Sequence, residues 1–204
     1  ETKTVNVPHN WDDYYGYRQL KHGNLHGTAT YCRTVNIDKQ TEKRYFLQLE
    51  GAGSYATVTV NGKQFDRRPV GRTTLTLDIT DALRGGENNI EVRCDHPELI
   101  TDMPWVCGGC SSEWGFSEGS QPLGLFRPVS LVVTDNVRIE PFGVHVWNNA
   151  ACDSVFIETE VRNYSAETVS AEIVNSFNLA SGKKAFRLND TITLSPGETR
   201  VIRQ

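Results

Sequence analysis

The stretch Arg44-Tyr-Phe-Leu-Gln-Leu-Glu50-Gly51-Ala-Gly-Ser54-Tyr55-Ala-Thr-Val-Thr-Val60-Asn61-Gly62-Lys63 decides the fold. Phe46, Leu47 and Leu49 form an apolar run that reads as one strand. After a Gly-rich corner, Tyr55, Thr57 and Thr59 alternate with Ala56, Val58 and Val60, the period of a strand with two unlike faces. Asn61-Gly62 then supplies two neighbours that tolerate positive φ, as a type I′ hairpin turn requires.

The same pattern recurs on either side. Strands are expected at 28–37, 45–50, 55–60, 73–77, 89–94, 130–134, 143–147, 156–162, 170–178 and 199–202, with turn residues between them. Helical periodicity is almost absent. One short turn is expected at 81–84, capped by Thr80 and stopped by Gly85-Gly86. The chain therefore reads as all-β. A boundary near 135–141 divides it into domains 1–137 and 138–204, because the alternation becomes more regular beyond it. There, Asn163-Tyr-Ser-Ala-Glu167 reads as a hairpin loop and Ser195-Pro-Gly-Glu198 as a turn. About four or five strand signals follow the boundary, short of the roughly seven of an immunoglobulin-like sandwich. The second domain thus reads as truncated, and the edge or apolar face left over would suit a partner copy in a homo-oligomer.

Composition removes several function classes. A formal charge of -4 over 204 residues, with scattered Lys and Arg, lacks the basic stripe of a nucleic-acid binder. No apolar run approaches the length of a membrane span. The chain opens on Glu1 rather than Met, which points to a processed or excised chain; a removed leader would favour a periplasmic or secreted location. Five cysteines leave at least one unpaired. Cys32 and Cys94 lie in alternating strands, where a free Cys acts as a small core hydrophobe. Cys107-Gly-Gly-Cys110 has spacing suited to zinc or a redox pair, but neither a βαβ setting nor a second Cys pair accompanies it. No dedicated acidic loop for calcium is visible either, so no metal or cofactor is expected.

The segment from Asp95 to Leu125 is long for a connection, and long ordered loops are disproportionately functional. It carries His96, Trp105, Trp114 and Phe116 among many glycines. A tryptophan ring can lie against the apolar face of a pyranose, while Asp95, Asp102, Glu113 and Glu118 could read its hydroxyls. Trp105 and Trp114 could equally pin the loop to the sandwich, and packing is the expectation for Phe116.

Five pieces, in order, carry a family resemblance: Val7-Pro-His9-Asn10-Trp11; Gly27-Thr-Ala-Thr-Tyr31-Cys-Arg33; Leu49-Glu50-Gly51 with Val58-Thr-Val60-Asn61-Gly62; Leu77-Asp78-Ile79-Thr80-Asp81 with Gly86-Glu87-Asn88; and Gly124-Leu-Phe-Arg127-Pro128-Val129. Together they resemble the amino-terminal region of glycoside hydrolase family 2, whose members include β-galactosidases, β-glucuronidases and β-mannosidases. The resemblance implies a sugar-binding jelly-roll β-sandwich followed by part of an immunoglobulin-like β-sandwich. It also implies a catalytic barrel, lying elsewhere in the parent chain, that performs retaining hydrolysis of a β-glycoside with two carboxyl groups about 5–5.5 Å apart. No catalytic residue is placed here, and the fragment alone is expected to be inactive. By the resemblance, Asp95 touches substrate hydroxyls, with His96, Asp102 and Trp105 as weaker substrate-binding candidates. Asp95-His96-Pro97, the Gly-rich 107–122 segment and Pro128 depart from the better-known members and bear on which sugar is bound. Arg33 and Arg127 are expected to pair with carboxylates such as Glu50, and His9 and Asn10 to tie down the amino-terminal segment. The competing readings are a free-standing carbohydrate-binding module and a structural β-sandwich protein.

Overall fold

The strand expected from Tyr55 to Val60 lies at the heart of the fold, and its alternation explains why. The computed structural model describes residues 2–12, 27–97 and 123–204. In order along the chain, it contains β1 (Gly27–Ile37), β2 (Lys43–Leu49), β3 (Ala52–Val60), β4 (Lys63–Gln64), β5 (Arg68–Gly71), β6 (Leu75–Asp78), β7 (Gly86–His96) and β8 (Val129–Asp135). After these come β9 (Val137–Asn148), β10 (Val155–Asn163), β11 (Val169–Asn178), β12 (Lys184–Leu194) and β13 (Thr199–Arg203). The chain divides into two compact units, Glu1–Thr41 with Tyr45–Val132, and Glu42–Arg44 with Val133–Gln204. The fold is an all-β sandwich, as the sequence implied.

In the first unit, β7 is the central strand of a sheet ordered β1-β7-β3, with β4 and β5 paired to β3. A second sheet runs β6-β2-β8. Ala56, Val58 and Val60 of β3 and Ile90, Val92 and Cys94 of β7 share one core with Tyr45, Leu47 and Leu49 of β2. Each set recurs every second residue, so one face of each strand is apolar throughout. β2 differs: Tyr45, Phe46 and Leu47 are all buried, which is why its sequence reads as a continuous apolar run. Asn61 and Gly62 take φ of 49° and 85°, and Val60 pairs with Lys63 across the two-residue turn.

That hairpin is tied to the approach to β7 by Asn88, whose side chain is fully buried. Its Oδ1 accepts from the Arg84 amide (2.9 Å) and Asn61 Nδ2 (2.8 Å). Its Nδ2 donates to the carbonyls of Arg84 and Gly86, both at 2.8 Å. The helical turn expected at 81–84 is a 3-10 turn at Thr80–Ala82, and Thr80 does not cap it. Ile79 stands at the cap position, and the Asp78 carboxylate accepts from both the amide (3.0 Å) and the hydroxyl (2.6 Å) of Thr80. The Thr80 hydroxyl is therefore committed elsewhere: it donates to Asp78 and accepts from the Tyr45 amide at 2.9 Å, which takes it away from the turn's own amides.

The second unit has sheets β13-β10-β9 and β11-β12. Val161, Ile173, Leu194 and Ile202 form its core, with Val137 and Ile192 against them. Loop 163–167 is not a hairpin: it carries the chain from β10 in one sheet to β11 in the other. Asn163 holds that corner. Its Nδ2 reaches the carbonyls of Glu167 (2.7 Å), Leu194 (3.2 Å) and Ser195 (3.1 Å), and its Oδ1 accepts from the Ser165 amide (2.9 Å) and hydroxyl (2.7 Å). β12 was not expected from sequence, because Asp190 interrupts the alternation of Phe186, Leu188, Ile192 and Leu194.

Three expectations need correction. Cys32 is exposed, since it points outward from β1, an edge strand among the described residues, whereas Cys94 lies on the inner face and is fully buried. Arg33 and Arg127 are exposed rather than buried, and among the described residues neither pairs with Glu50. Water solvates both guanidinium groups, and Arg127 Nη1 donates to the Arg72 carbonyl at 3.0 Å.

Asn88→Ala should destabilise the protein by about 2–4 kcal/mol in urea unfolding, since buried amide and carbonyl groups lose their partners; a change near zero would deny Asn88 its anchoring role. Burial pushes the Cys94 thiol up to about 12, so the thiolate that attacks a disulfide is scarce at pH 8. Peptide mapping after treatment with an aromatic disulfide at that pH should find Cys32 and Cys152 modified and Cys94 untouched until denaturant is added.

Candidate functional site

Asp95 and His96 are the last two residues of β7, and the two-residue period of a strand sends them to opposite faces of the sheet. The structure therefore does not bring these two candidates together on one surface. Asp95 faces outward between β1 and β3, in register with Thr28 and Tyr55. Its Oδ1 accepts from the Thr28 hydroxyl at 2.8 Å and meets Arg93 Nη2 at 3.0 Å. Its Oδ2 lies 3.5 Å from Arg67 Nε, and the Arg67 guanidinium stacks over the Tyr55 ring, 3.6 Å from the centroid. The carboxylate is thus held from three sides while its side chain keeps 13% of its surface open. An ionised carboxylate has about four lone-pair sites, so acceptor capacity remains for another hydroxyl.

His96 faces inward and is buried. Its Nδ1 shares a hydrogen bond of 2.9 Å with Ser54 Oγ of β3. Beside it, the Gly53 amide donates to the Gly124 carbonyl at 3.0 Å, bridging β3 to the segment that leads into β8. Gly124 has φ of 78°, and a Cβ there would strike the Tyr31 hydroxyl and crowd the His9 carbonyl, so only glycine fits.

The amino-terminal segment closes this inner end of the sandwich. The His9 amide donates to the Leu125 carbonyl at 2.7 Å, and His9 Nδ1 lies 2.8 Å from the Tyr31 hydroxyl. Asn10 Oδ1 accepts from the amides of Asp12 (3.0 Å) and Leu123 (3.2 Å), while Trp11 packs against the core. Burial pushes the Tyr31 hydroxyl up to about 12 and keeps it protonated at neutral pH.

Asp102 and Trp105, with Trp114, Phe116 and the Cys107–Cys110 pair, lie outside the described residues. Among the described residues no group of three or more His, Cys, Asp or Glu side chains could hold a metal ion, and no helix is long and apolar enough to cross a membrane. Sequence reasoning did not assign Arg67, Arg93, Thr28 or Tyr55 to this site. Arg93 was within reach, because residues two apart on a strand share a face; Thr28 and Tyr55 arrive through strand pairing, and Arg67 from the loop just before β5, whose Arg68 pairs with Ala56 of β3.

No family model matches the chain. In sequence it is 28% identical over 187 residues to a beta-glucuronidase of Bacteroides fragilis, an alignment covering 89% of this chain and 24% of that protein. A beta-galactosidase of Bacteroides ovatus is 22% identical over 99% of this chain and 23% of its own length. In fold it superposes on the crystal structure of a Bacteroides uniformis beta-glucuronidase with a TM-score of 0.80 at 22% identity, covering 99% of this chain and 24% of that one. A glycosyl hydrolase family 2 member from Bacteroides cellulosilyticus gives 0.75 at 21% identity, covering 99% and 27%. The chain thus spans about a quarter of the length of the relatives it matches. In its relatives and in its fold, this chain resembles the glycosidases of glycoside hydrolase family 2, as its motifs indicated.

Proposed function

We propose that this chain is the non-catalytic amino-terminal part of a family 2 glycoside hydrolase of carbohydrate metabolism, with residues 1–137 as a sugar-binding jelly roll and 138–204 as immunoglobulin-like sandwich. The observation that carries this reading is coverage: nearly the whole chain aligns with about a quarter of enzymes named beta-glucuronidase and beta-galactosidase. A β-glycoside, a β-glucuronide or a β-galactoside first, is the substrate class of the parent enzyme. The catalytic carboxylates belong to a barrel in the rest of the parent chain.

In this reading Asp95 contributes to the substrate site. Arg93, Arg67 and Thr28 fix the carboxylate, so it accepts a sugar hydroxyl with little reorganisation, and Asp102 and Trp105 follow it in the chain. His96, bonded to Ser54 on the inner face, supports the strand end from behind.

The full-length protein should hydrolyse at least one nitrophenyl β-D-glycoside from a panel of glucuronide, galactoside, mannoside and glucoside, while residues 1–204 alone release nothing above buffer. Turnover by the isolated fragment would overturn the barrel-dependent account. In the full-length enzyme, Asp95→Ala should lower kcat/KM about 10- to 100-fold, the worth of a charge-assisted hydrogen bond. It should move stability by no more than about 1 kcal/mol, because its ion pairs involve exposed arginines. A large fall in melting temperature with unchanged kinetics would make Asp95 a structural residue instead.

A further inference from the structure

Trp147 and Phe156 are directly opposite each other, where the end of β9 pairs with the start of β10. Their rings stack with centroids 5.7 Å apart and planes 23° from parallel. They project away from the core, since Ile157 and Thr159, one residue out of phase on β10, are buried. Both rings remain open to solvent, Trp147 at 46% and Phe156 at 41% of their surface. A single exposed apolar residue calls for no explanation, but two large aromatic rings held side by side in water do.

The next outward-facing row of the same sheet is His145, Glu158 and Arg203, in register across β9, β10 and β13. Diagonal neighbours on one sheet face lie about 7–8 Å apart, so these heads form a rim beside the rings. Arg203 Nε donates to Glu158 Oε1 at 2.7 Å, which pairs the rim's cation with an anion. β9 is the edge of its sheet among the described residues, so no neighbouring strand crowds the platform on that side.

We propose that this surface is an accessory carbohydrate-binding platform, taking a β-linked oligosaccharide on residues other than Asp95. The electrostatics choose the occupant. A nucleic acid or an anionic membrane would require uncompensated cations, and this rim pairs its arginine with a glutamate. A pyranose presents an apolar face of C–H groups surrounded by hydroxyls. The ring surface that the pair leaves open to solvent matches the face, and an ion pair with an adjacent imidazole supplies donors and acceptors for the hydroxyls. The choice of a glycan with β-linkages rests on the glycosidase reading above, whereas the residues are independent of it.

The test is calorimetric titration of the full-length protein with hexasaccharides of β-linked glucose, xylose and galactose, run beside turnover of nitrophenyl β-glycosides. Trp147→Ala should weaken binding of the preferred hexasaccharide at least tenfold and leave kcat on the small glycoside within twofold of wild type. Trp147→Phe, which keeps a ring, should retain most of the binding and guards against misfolding as the cause. Absence of saturable binding to all three hexasaccharides, or binding indifferent to Trp147→Ala, would overturn the platform. So would failure of acrylamide to distinguish wild type from Trp147→Phe by quenching, since the remainder of the chain would then cover the rings. Loss of a dimer in Trp147→Ala with sugar binding intact would assign the face to a second copy, again against the proposal. If glycoside turnover is absent but hexasaccharide binding still depends on Trp147, the platform stands and the glycosidase reading falls.

Discussion

A buried backbone carbonyl must find a donor, and in both units of this protein an asparagine supplies it. Asn88 and Asn163 have no exposed surface, and each spends its carboxamide on main-chain groups at a turn. Antiparallel sandwiches satisfy their amides and carbonyls along the ladders, but the corners have no ladder to use. A side chain with both a donor and an acceptor can replace one locally. Asn88 thereby locks the entrance of β7, and β7 is the strand on which the larger sheet of the first unit is ordered, with β1 on one side and β3 on the other.

From β7 the functional geometry follows by parity. One residue separates Asp95 from His96, and that single step places one between two arginines on the outer surface and the other against Ser54 in the interior. Two residues adjacent in sequence thus serve opposite sides of the same sheet. The inner side is sealed by the amino-terminal segment through His9, Asn10 and the glycine at 124, so the strand end that presents Asp95 is supported from below. Rigid support of this kind is what a group needs if it is to accept a ligand hydroxyl without first being ordered.

The second unit shows a different balance. Its core is small, and Val144, Val146, Trp147, Phe156 and Phe186 all keep 41% or more of their surface in solvent. Pro141 and Phe142, the latter at φ of 60°, lie within β9 where its register against β10 shifts by a bulge between Thr159 and Val161. Proline is tolerated there because β9 is an edge strand among the described residues, where a missing amide donor leaves no ladder bond broken. The Trp147–Phe156 pair lies beyond this bend, on a stretch where β9 again pairs regularly with β10.

The sequence by itself determined the all-β class, most strand positions and the Asn61-Gly62 turn, because these depend on local periodicity and on the φ that individual residues tolerate. It also carried the family resemblance, through short motifs whose order survives low overall identity. It missed β12, where one aspartate breaks the alternation, and mistook the 163–167 corner for a hairpin, since a loop's sequence does not say which sheet the next strand joins. Only the tertiary structure brought Arg67, Thr28 and Tyr55 to Asp95, where Arg93 already shares its strand face, exposed Cys32 while burying Cys94, and set Trp147 beside Phe156. Each of these depends on strand register, and register is fixed by burial of whole faces against partners distant in the chain rather than by anything a single segment contains.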